Sequence, residues 1–377
     1  MSACSTESLS QEPGNPEVVA EPSASAVTET TKTKDSSLQT LVTGLEHPWG
    51  MAWLPDGSML ITERPGRLRL VRNGTLDPRA IAGVPPVLAA GQGGLLDVVV
   101  HPRFAQNRWV YLTYAHGTRQ GNRTRVMRAE LDGMRLRNGR VIFEVTQDKG
   151  DTQHFGARLA WLPDGTLLVA IGDGGNPPVS LNGQLIRLQA QNRLSRLGKV
   201  ARIRDDGTVP QNNPLEKQRD ADPTLWTLGH RNIQGLAVDA DTGQVWASEH
   251  GARGGDELNL LRAGQNYGWP LVTNSREYFG PEISPDRSRP GMVDPKYVWT
   301  ETFAPSGLAV GRGQVWAGGL ISREIHQFAV DAGGGVTLRR RIPIGERVRD
   351  VRFGPDRFLY VLTDAPQGRL LRFRAEP

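Results

Sequence analysis

Residues 158–173 read RLAWLPDGTLLVAIGD: an alternating apolar run, a turn at Pro163-Asp164-Gly165, then a second apolar run. Apolar alternation on both sides of a Pro/Asp/Gly turn is the pattern of a β-hairpin half-buried in a sheet. The pattern recurs in GMAWLPDGSMLITE (50–63), DVVVHPRFAQNRWVYLTY (97–114), GLAVDADTGQVWASEH (235–250), GLAVGRGQVWAGG (307–319) and DVRFGPDRFLYVLTD (350–364), six copies in all. They recur every ~55 residues, the length of a four-stranded propeller blade with some loops enlarged. The sequence therefore predicts an all-β chain, a six-bladed β-propeller of four-stranded antiparallel blades over residues 39–377. A pair of β-sandwiches is the competing architecture. Amphipathic helix is scarce, with NGQLIRLQAQNRL (182–194) as the local candidate. Longer inserts separate the copies near residues 160, 237 and 310. Long loops on a rigid propeller gather at one mouth, so function is expected there.

Composition agrees with a turn-rich protein: 44 Gly and 26 Pro in 377 residues, of which 38% are hydrophobic. The net charge of +5 is spread along the chain, with one short basic run, Arg339-Arg340-Arg341. No DNA- or RNA-reading motif accompanies it, so the charge reads as a basic surface, with no nucleic-acid partner. No apolar run approaches the roughly 20 residues of a membrane span. The single cysteine, Cys4, excludes an intramolecular disulfide. Met1-Ser2-Ala3-Cys4 resembles the end of a bacterial lipoprotein signal without its apolar region, which makes Cys4 a candidate lipid anchor. Residues 5 to 38 are rich in Ser, Thr, Glu, Pro and Ala. Such a segment buries too little surface to offset its ordering entropy, so residues 1–38 are expected to be a disordered tether.

Four polar clusters lie in the enlarged loops or beside the repeated strands. GQGGLLDV (91–98) sets three glycines around Gln92; such a turn lets backbone approach a ligand, or simply joins two blades tightly. His154, in QHFGA (153–157), lies 19 residues before Asp173. The hairpin between them is nearly symmetric, so antiparallel pairing brings both side chains to one end. A carboxylate on one imidazole nitrogen fixes the tautomer and frees the other nitrogen as a base; otherwise His154 is a packed residue at a strand end. LGHRNIQGLAV (228–238) offers Arg231 and Asn232, a cationic fork beside an amide, suited to a carboxylate or quinone oxygen or to bracing a loop. SEHGARGGDELNLLRAGQNYGWP (248–270) gathers Glu249, Asp256 and Glu257 around Gly254-Gly255, followed by Asn259 and Tyr267. A hard cation such as Ca²⁺ takes six to eight oxygens, backbone carbonyls included. EF-hand spacing is absent, and one cysteine with no His-x₃-His pair leaves soft metals unsupported. Outside these four, GERVRDVRFG (345–354), directly before the last repeat, puts Arg347 and Arg349 on one face of an alternating run, an anion clamp or a solvated edge.

Taken in order, HPWGMAWLPDGSMLITER, GQGGLLDVVVHPRF, HFGARLAWLPDGTLLVAIGD, GHRNIQG, EHGARGGDELNLLRAGQNYGWP, APSGLAV and ERVRDV resemble the soluble pyrroloquinoline-quinone-dependent aldose sugar dehydrogenases. These are six-bladed propellers related to soluble glucose dehydrogenase. The resemblance covers about residues 40–374. It implies oxidation of an aldose at its anomeric hydroxyl to a lactone, with PQQ and Ca²⁺ as cofactors and an external electron acceptor. It implies His154 as general base and Asp173 as its orienting partner. It further implies Gln92, Arg231, Asn232, Tyr278, Arg347 and Arg349 as cofactor contacts. Glu257 and the backbone carbonyl of Tyr267 match the Ca²⁺ ligands. With these go a bacterial periplasmic or cell-envelope location and a monomer or homodimer. One departure stands out: WTETF precedes Ala304-Pro305-Ser306, and no lysine follows Lys296 to contact the cofactor there. The rival functions are a Ca²⁺-dependent propeller lactonase and a non-catalytic sugar- or protein-binding propeller. Neither needs the arginines that a tricarboxylate cofactor demands.

Overall fold

The computed structural model describes residues 38–374. Cys4 and, apart from Leu38, the tether expected over residues 1–38 lie outside the described residues. Each of the six hairpins forms the two inner strands of a four-stranded antiparallel sheet, and the six sheets make a six-bladed β-propeller. Blade 1 runs through Pro48–Trp53, Met59–Glu63, Arg67–Arg72 and Thr75–Leu76. Blade 2 is Leu95–Val100, Trp109–Gly117, Asn122–Asp132 and Arg135–Glu144. Blade 3 is Leu159–Trp161, Leu167–Ile171, Lys199–Ile203 and Leu225–Leu228. Blade 4 is Ile233–Val238, Val245–Glu249, Asp256–Leu261 and Tyr297–Trp299. Blade 5 is Pro305–Gly311, Gln314–Gly319, Glu324–Val330 and Val336–Pro343.

Blade 6 closes the ring. Its three C-terminal strands, Val348–Phe353, Leu359–Thr363 and Gly368–Phe373, take their fourth strand from Gln39–Leu45 at the other end of the described chain. Gln39 pairs with Arg372 and Thr40 with Leu371. Closure leaves no blade with an unmatched neighbour, and it ties both ends of the described chain into one sheet. The helix candidate at 182–194 resolves into a small hairpin, Ser180–Leu181 with Gln184–Leu185, and a 3₁₀ turn over Ile186–Ala190. Five residues of 3₁₀ turn bury only Ile186, Gln189 and Ala190, too little packing to sustain a longer helix.

Apolar faces of neighbouring blades pack on each other. Leu60, Leu68 and Leu70 of blade 1 meet Val98 and Leu112 of blade 2, and Leu168 and Val200 of blade 3 meet Leu236 and Val245 of blade 4. Each such side chain contributes about 1.5–3 kcal/mol on full burial. At the axis the contacts change to charge. Arg158 lies 2.9 Å from Asp350 and 3.6 Å from Asp97, and Arg352 pairs with both aspartates. Arg158 also donates to the backbone carbonyls of Gln234 and Arg349. Blades 2, 3, 4 and 6 are thus joined through one buried guanidinium.

The hairpin repeat carries a second device. A hydroxyl near the end of the second strand bonds a carbonyl of the next blade: Thr62 to Leu96, Thr113 to Ala157, Ser248 to Ser306. Blade 3 has Ala170 at this position, followed two residues later by Gly172. A Cβ on Gly172 would lie 2.0 Å from the carbonyl oxygen of His154. Glycine at 172 is what lets the His154 backbone come this close.

Candidate active site

One end of the propeller opens into a cavity of about 450 Å³. Its floor takes in Trp49, Leu96 and Phe155; its walls include Arg64, Gln92, Gln234, His250, Tyr278, Arg347 and Arg349. Four of the eight residues expected at the quinone site or as its base and partner therefore line it: Gln92, Tyr278, Arg347 and Arg349. The other four, His154, Asp173, Arg231 and Asn232, are packed directly behind its wall, where Phe155 and Gly156 form the surface.

His154 and Asp173 meet as the hairpin symmetry predicts. The Nδ1–H of His154 donates to Asp173 Oδ1 at 2.6 Å. Asp173 is itself held by the Trp269 indole N–H at 2.8 Å and the Gly175 amide at 3.2 Å. His154 sits in the left-handed region at φ +48°, an uncommon conformation for a residue with a side chain. Its backbone N–H donates to the Gln92 side-chain Oε1 at 2.9 Å, and the Gln92 backbone N–H donates to the Thr152 carbonyl at 2.8 Å. The glycine turn thus holds the base in place as well as lining the cavity. Burial, and then the Arg231 charge, push the His154 imidazole below its ordinary value, against the pull of Asp173. The ring is neutral at neutral pH, with Nδ1 occupied and the lone pair on Nε2. No protein hydrogen bond among the described residues engages that nitrogen.

A second pair with the same spacing sharpens the point. His230 and Glu249, also 19 residues apart, meet at 3.0 Å in blade 4. There both imidazole nitrogens are used, Nε2 against Thr227 Oγ1 at 2.9 Å, and the ring stacks on Tyr267 with no exposure. That histidine is sealed. Of the two, only the blade 3 pair keeps a ring nitrogen unengaged, one residue from the Phe155-Gly156 surface of the cavity.

Beside the main cavity lies a smaller one of about 10 Å³, the scale of a single ion or water. Arg231, Glu249, His250, Gly251, Glu257 and Tyr267 border it. Asn259 donates to Glu249 at 3.1 Å and to Glu257 at 3.3 Å, while its carbonyl oxygen is buried without a partner. Burial and then the Glu249 charge push the Glu257 carboxyl up to about 8. A buried carboxylate in that state is under-compensated, and a cation beside it would restore its charge. Among the described residues no three His, Cys, Asp or Glu side chains converge as a metal cluster, so backbone carbonyls would have to complete any hard-cation site. The Tyr267 phenol is committed elsewhere, donating to Leu260 and accepting from Arg262, which leaves its carbonyl as the group to consider.

Arg231 connects the two cavities. Its guanidinium donates to the carbonyls of His250 and Gly251 and to Asn176 Oδ1, and its Nε is buried without a partner. Asn232 accepts from Gly156 and Gln234, both at 3.2 Å, and lines neither cavity. Arg347 and Arg349 bond Asp364 at 3.2 and 2.7 Å. Burial opposes ionisation of Asp364, yet Arg349, Arg347 and Arg64 together hold its carboxyl well below the usual range. Where no lysine follows Lys296, the wall is made by Thr302 and Ala304.

The sequence model of the Glucose / Sorbosone dehydrogenase family matches residues 45–372, nearly all of the described chain. The chain belongs to that family. The glucose/sorbosone dehydrogenase assignment makes it an oxidoreductase, and its named relatives agree. It is 36% identical to the aldose sugar dehydrogenase YliI of Escherichia coli over 352 residues, 89% of this chain and 92% of that protein. A crystal structure of a glucose dehydrogenase superposes with a TM-score of 0.83 at 39% identity, covering 90% of this chain and 100% of that one. The PQQ-bound form of an aldose sugar dehydrogenase from Streptomyces coelicolor gives a TM-score of 0.73 at 27% identity, covering 91% and 99%.

Four participants went unread in the sequence: Trp269, Asp364, Gln234 and His250. Asp364 had a signal, since it ends its hairpin as Asp173 and Glu249 end theirs. Trp269 had none, because its bond to Asp173 spans 96 residues.

Proposed function

We propose that this glucose/sorbosone dehydrogenase family member oxidises aldoses at the anomeric hydroxyl to lactones, with PQQ in the main cavity and Ca²⁺ in the small one. The observation that carries the reading is His154, a neutral imidazole with its tautomer fixed by Asp173, held at the margin of an arginine-walled cavity. The residues present fit both groups. An apolar floor under cationic walls suits a planar tricarboxylate, and the unpartnered Nε atoms of Arg231 and Arg349 leave donor capacity for it. Glu257, Asn259 Oδ1 and backbone carbonyls such as that of Tyr267 offer the oxygens a hard cation needs.

When bound, PQQ supplies a two-electron acceptor for the hydride of the sugar C1, and Ca²⁺ supplies a Lewis acid beside it. The chain's own residues do the rest. His154 Nε2 takes the proton of the C1 hydroxyl. Asp173 stabilises the imidazolium that forms, and Trp269 and Gly175 keep Asp173 in place. Gln92, Arg347 and Arg349 orient the ligand through polar contacts on the open side. Electrons then leave to an acceptor outside the protein, with a periplasmic or cell-envelope location as the setting. No helix among the described residues is long and apolar enough to cross a membrane.

The deciding experiment reconstitutes purified protein with PQQ and Ca²⁺ and follows dye reduction with several aldoses. Sugar-dependent reduction that requires both additions is expected. Absence of PQQ binding and of activity would sink the reading and return the lactonase and the binding propeller to consideration. For Glu257→Ala we expect weaker Ca²⁺ retention by metal analysis after gel filtration; an unchanged metal content would remove Glu257 from the ligand set.

A further inference from the structure

Arg64 is a cavity-lining arginine that neither the repeat pattern nor the family resemblance singled out. It follows the second strand of blade 1, half-buried, and its backbone is fixed by Arg64 N–H to His47 O and Leu95 N–H to Arg64 O, both at 3.1 Å. Its side chain turns along the Gly91–Gly94 turn, Nε donating to Gly93 O at 3.3 Å and one terminal nitrogen to Gly91 O. Gly94 allows this approach, since a Cβ there would lie 2.2 Å from the Arg64 carbonyl oxygen. Arg64 faces the cavity and stands in the fields of Arg349, Asp364 and Arg347.

The three arginines of this wall are not equivalent. Arg347 and Arg349 share the carboxylate of Asp364. Arg64 pairs with no carboxylate among the described residues; its bonds are to two backbone carbonyls, which neutralise no charge. A guanidinium has five N–H donors in a fixed fork, and these two bonds occupy one edge of it. The remaining terminal nitrogen makes no hydrogen bond to the described residues, and Arg64 lines the cavity. These three guanidiniums face one carboxylate, an excess of two positive charges, and Arg64 is the one of them with no carboxylate partner. An uncompensated guanidinium at the edge of a ligand cavity is a carboxylate-binding group.

We propose that Arg64 is a further cofactor-contacting residue, its outer edge holding a carboxylate of the quinone while its inner edge clamps the Gln92 turn. This rests on PQQ as the occupant of the main cavity. It also links binding to chemistry, because the clamped turn supports the His154 backbone through Gln92.

The test is calorimetric titration of PQQ, with Ca²⁺ present, into the wild-type chain, Arg64→Gln and Arg64→Lys, with circular dichroism melts to confirm folding. Arg64→Gln is expected to weaken PQQ binding by about 10-fold or more and to flatten its dependence on ionic strength. Arg64→Lys, which keeps the charge and loses the fork, should fall between. Unchanged PQQ affinity in a folded Arg64→Gln chain overturns the contact. So does lost turnover at unchanged affinity, which would make Arg64 a brace for the Gln92 turn alone. A wild-type chain that does not bind PQQ overturns the proposed function as well, and that outcome is separate because it is read before any variant is compared.

Discussion

Replacing His154 by alanine is expected to lower turnover by about 10²-fold or more while PQQ affinity, measured by titration, stays within a few-fold of wild type. The ring has its tautomer fixed by a carboxylate able to stabilise the imidazolium, which His250, bonded to the Pro305 carbonyl, lacks. Because His154 holds a left-handed backbone, alanine also introduces strain; His154→Asn tolerates that conformation better and should lose as much turnover. Equal losses in the two variants assign the effect to the missing base, whereas activity retained by either folded variant would make His154 a packing residue. The pH dependence follows from the lowered imidazole. The active form is the neutral ring, so kcat/KM should hold from neutral pH down past the ordinary value of 6.5 and fall only as the depressed titration is crossed. An acid limb above neutrality would contradict this electrostatic reading.

The largest stability effect is expected at the axis. Asp97 is fully buried; it pairs with Arg352, stands 3.6 Å from Arg158, and accepts the backbone N–H groups of Val98 and Leu159 at 2.9 Å each. Asp97→Ala leaves two guanidinium groups facing Asp350 alone and strands two amides. Removing one member of a buried charge network costs about 3–5 kcal/mol, and denaturant unfolding should show a loss of that order. Adding Arg352→Met to Asp97→Ala removes one stranded charge and should recover part of the loss, a coupling that a simple cavity would not produce. Additive losses in the double variant would argue that the network is not electrostatically coupled.

Much of this was legible in the sequence for a local reason. Alternation and turn residues act over a few residues, so each hairpin declares itself, and six declarations at blade spacing fix the count. His154 and Asp173 were legible for the same reason, since one hairpin carries both. The extra strand donated by Gln39–Leu45 was not, because an edge strand of this kind has the same alternation as any other. Nor were Trp269 on Asp173, Arg64 on the Gln92 turn, or Arg158 bridging to Asp350. These contacts join segments about 30 to 190 residues apart, and no local pattern records which distant backbone comes within reach.

The sequence by itself determined the six hairpins, the blade count, and two histidines each set 19 residues ahead of an acid at the end of a hairpin. Those two pairs are alike in spacing, and nothing local separates them. Tertiary packing decided between them. The outer strand of blade 3 brings Thr227, and a loop of blade 4 the Tyr267 ring, against His230 and close it off. In blade 3, Gly172 carries no side chain to meet the His154 carbonyl, and that lets the His154 loop fold in close beside it. What makes one histidine a base and the other a fixture is which neighbours use its second nitrogen, a property of the assembled ring.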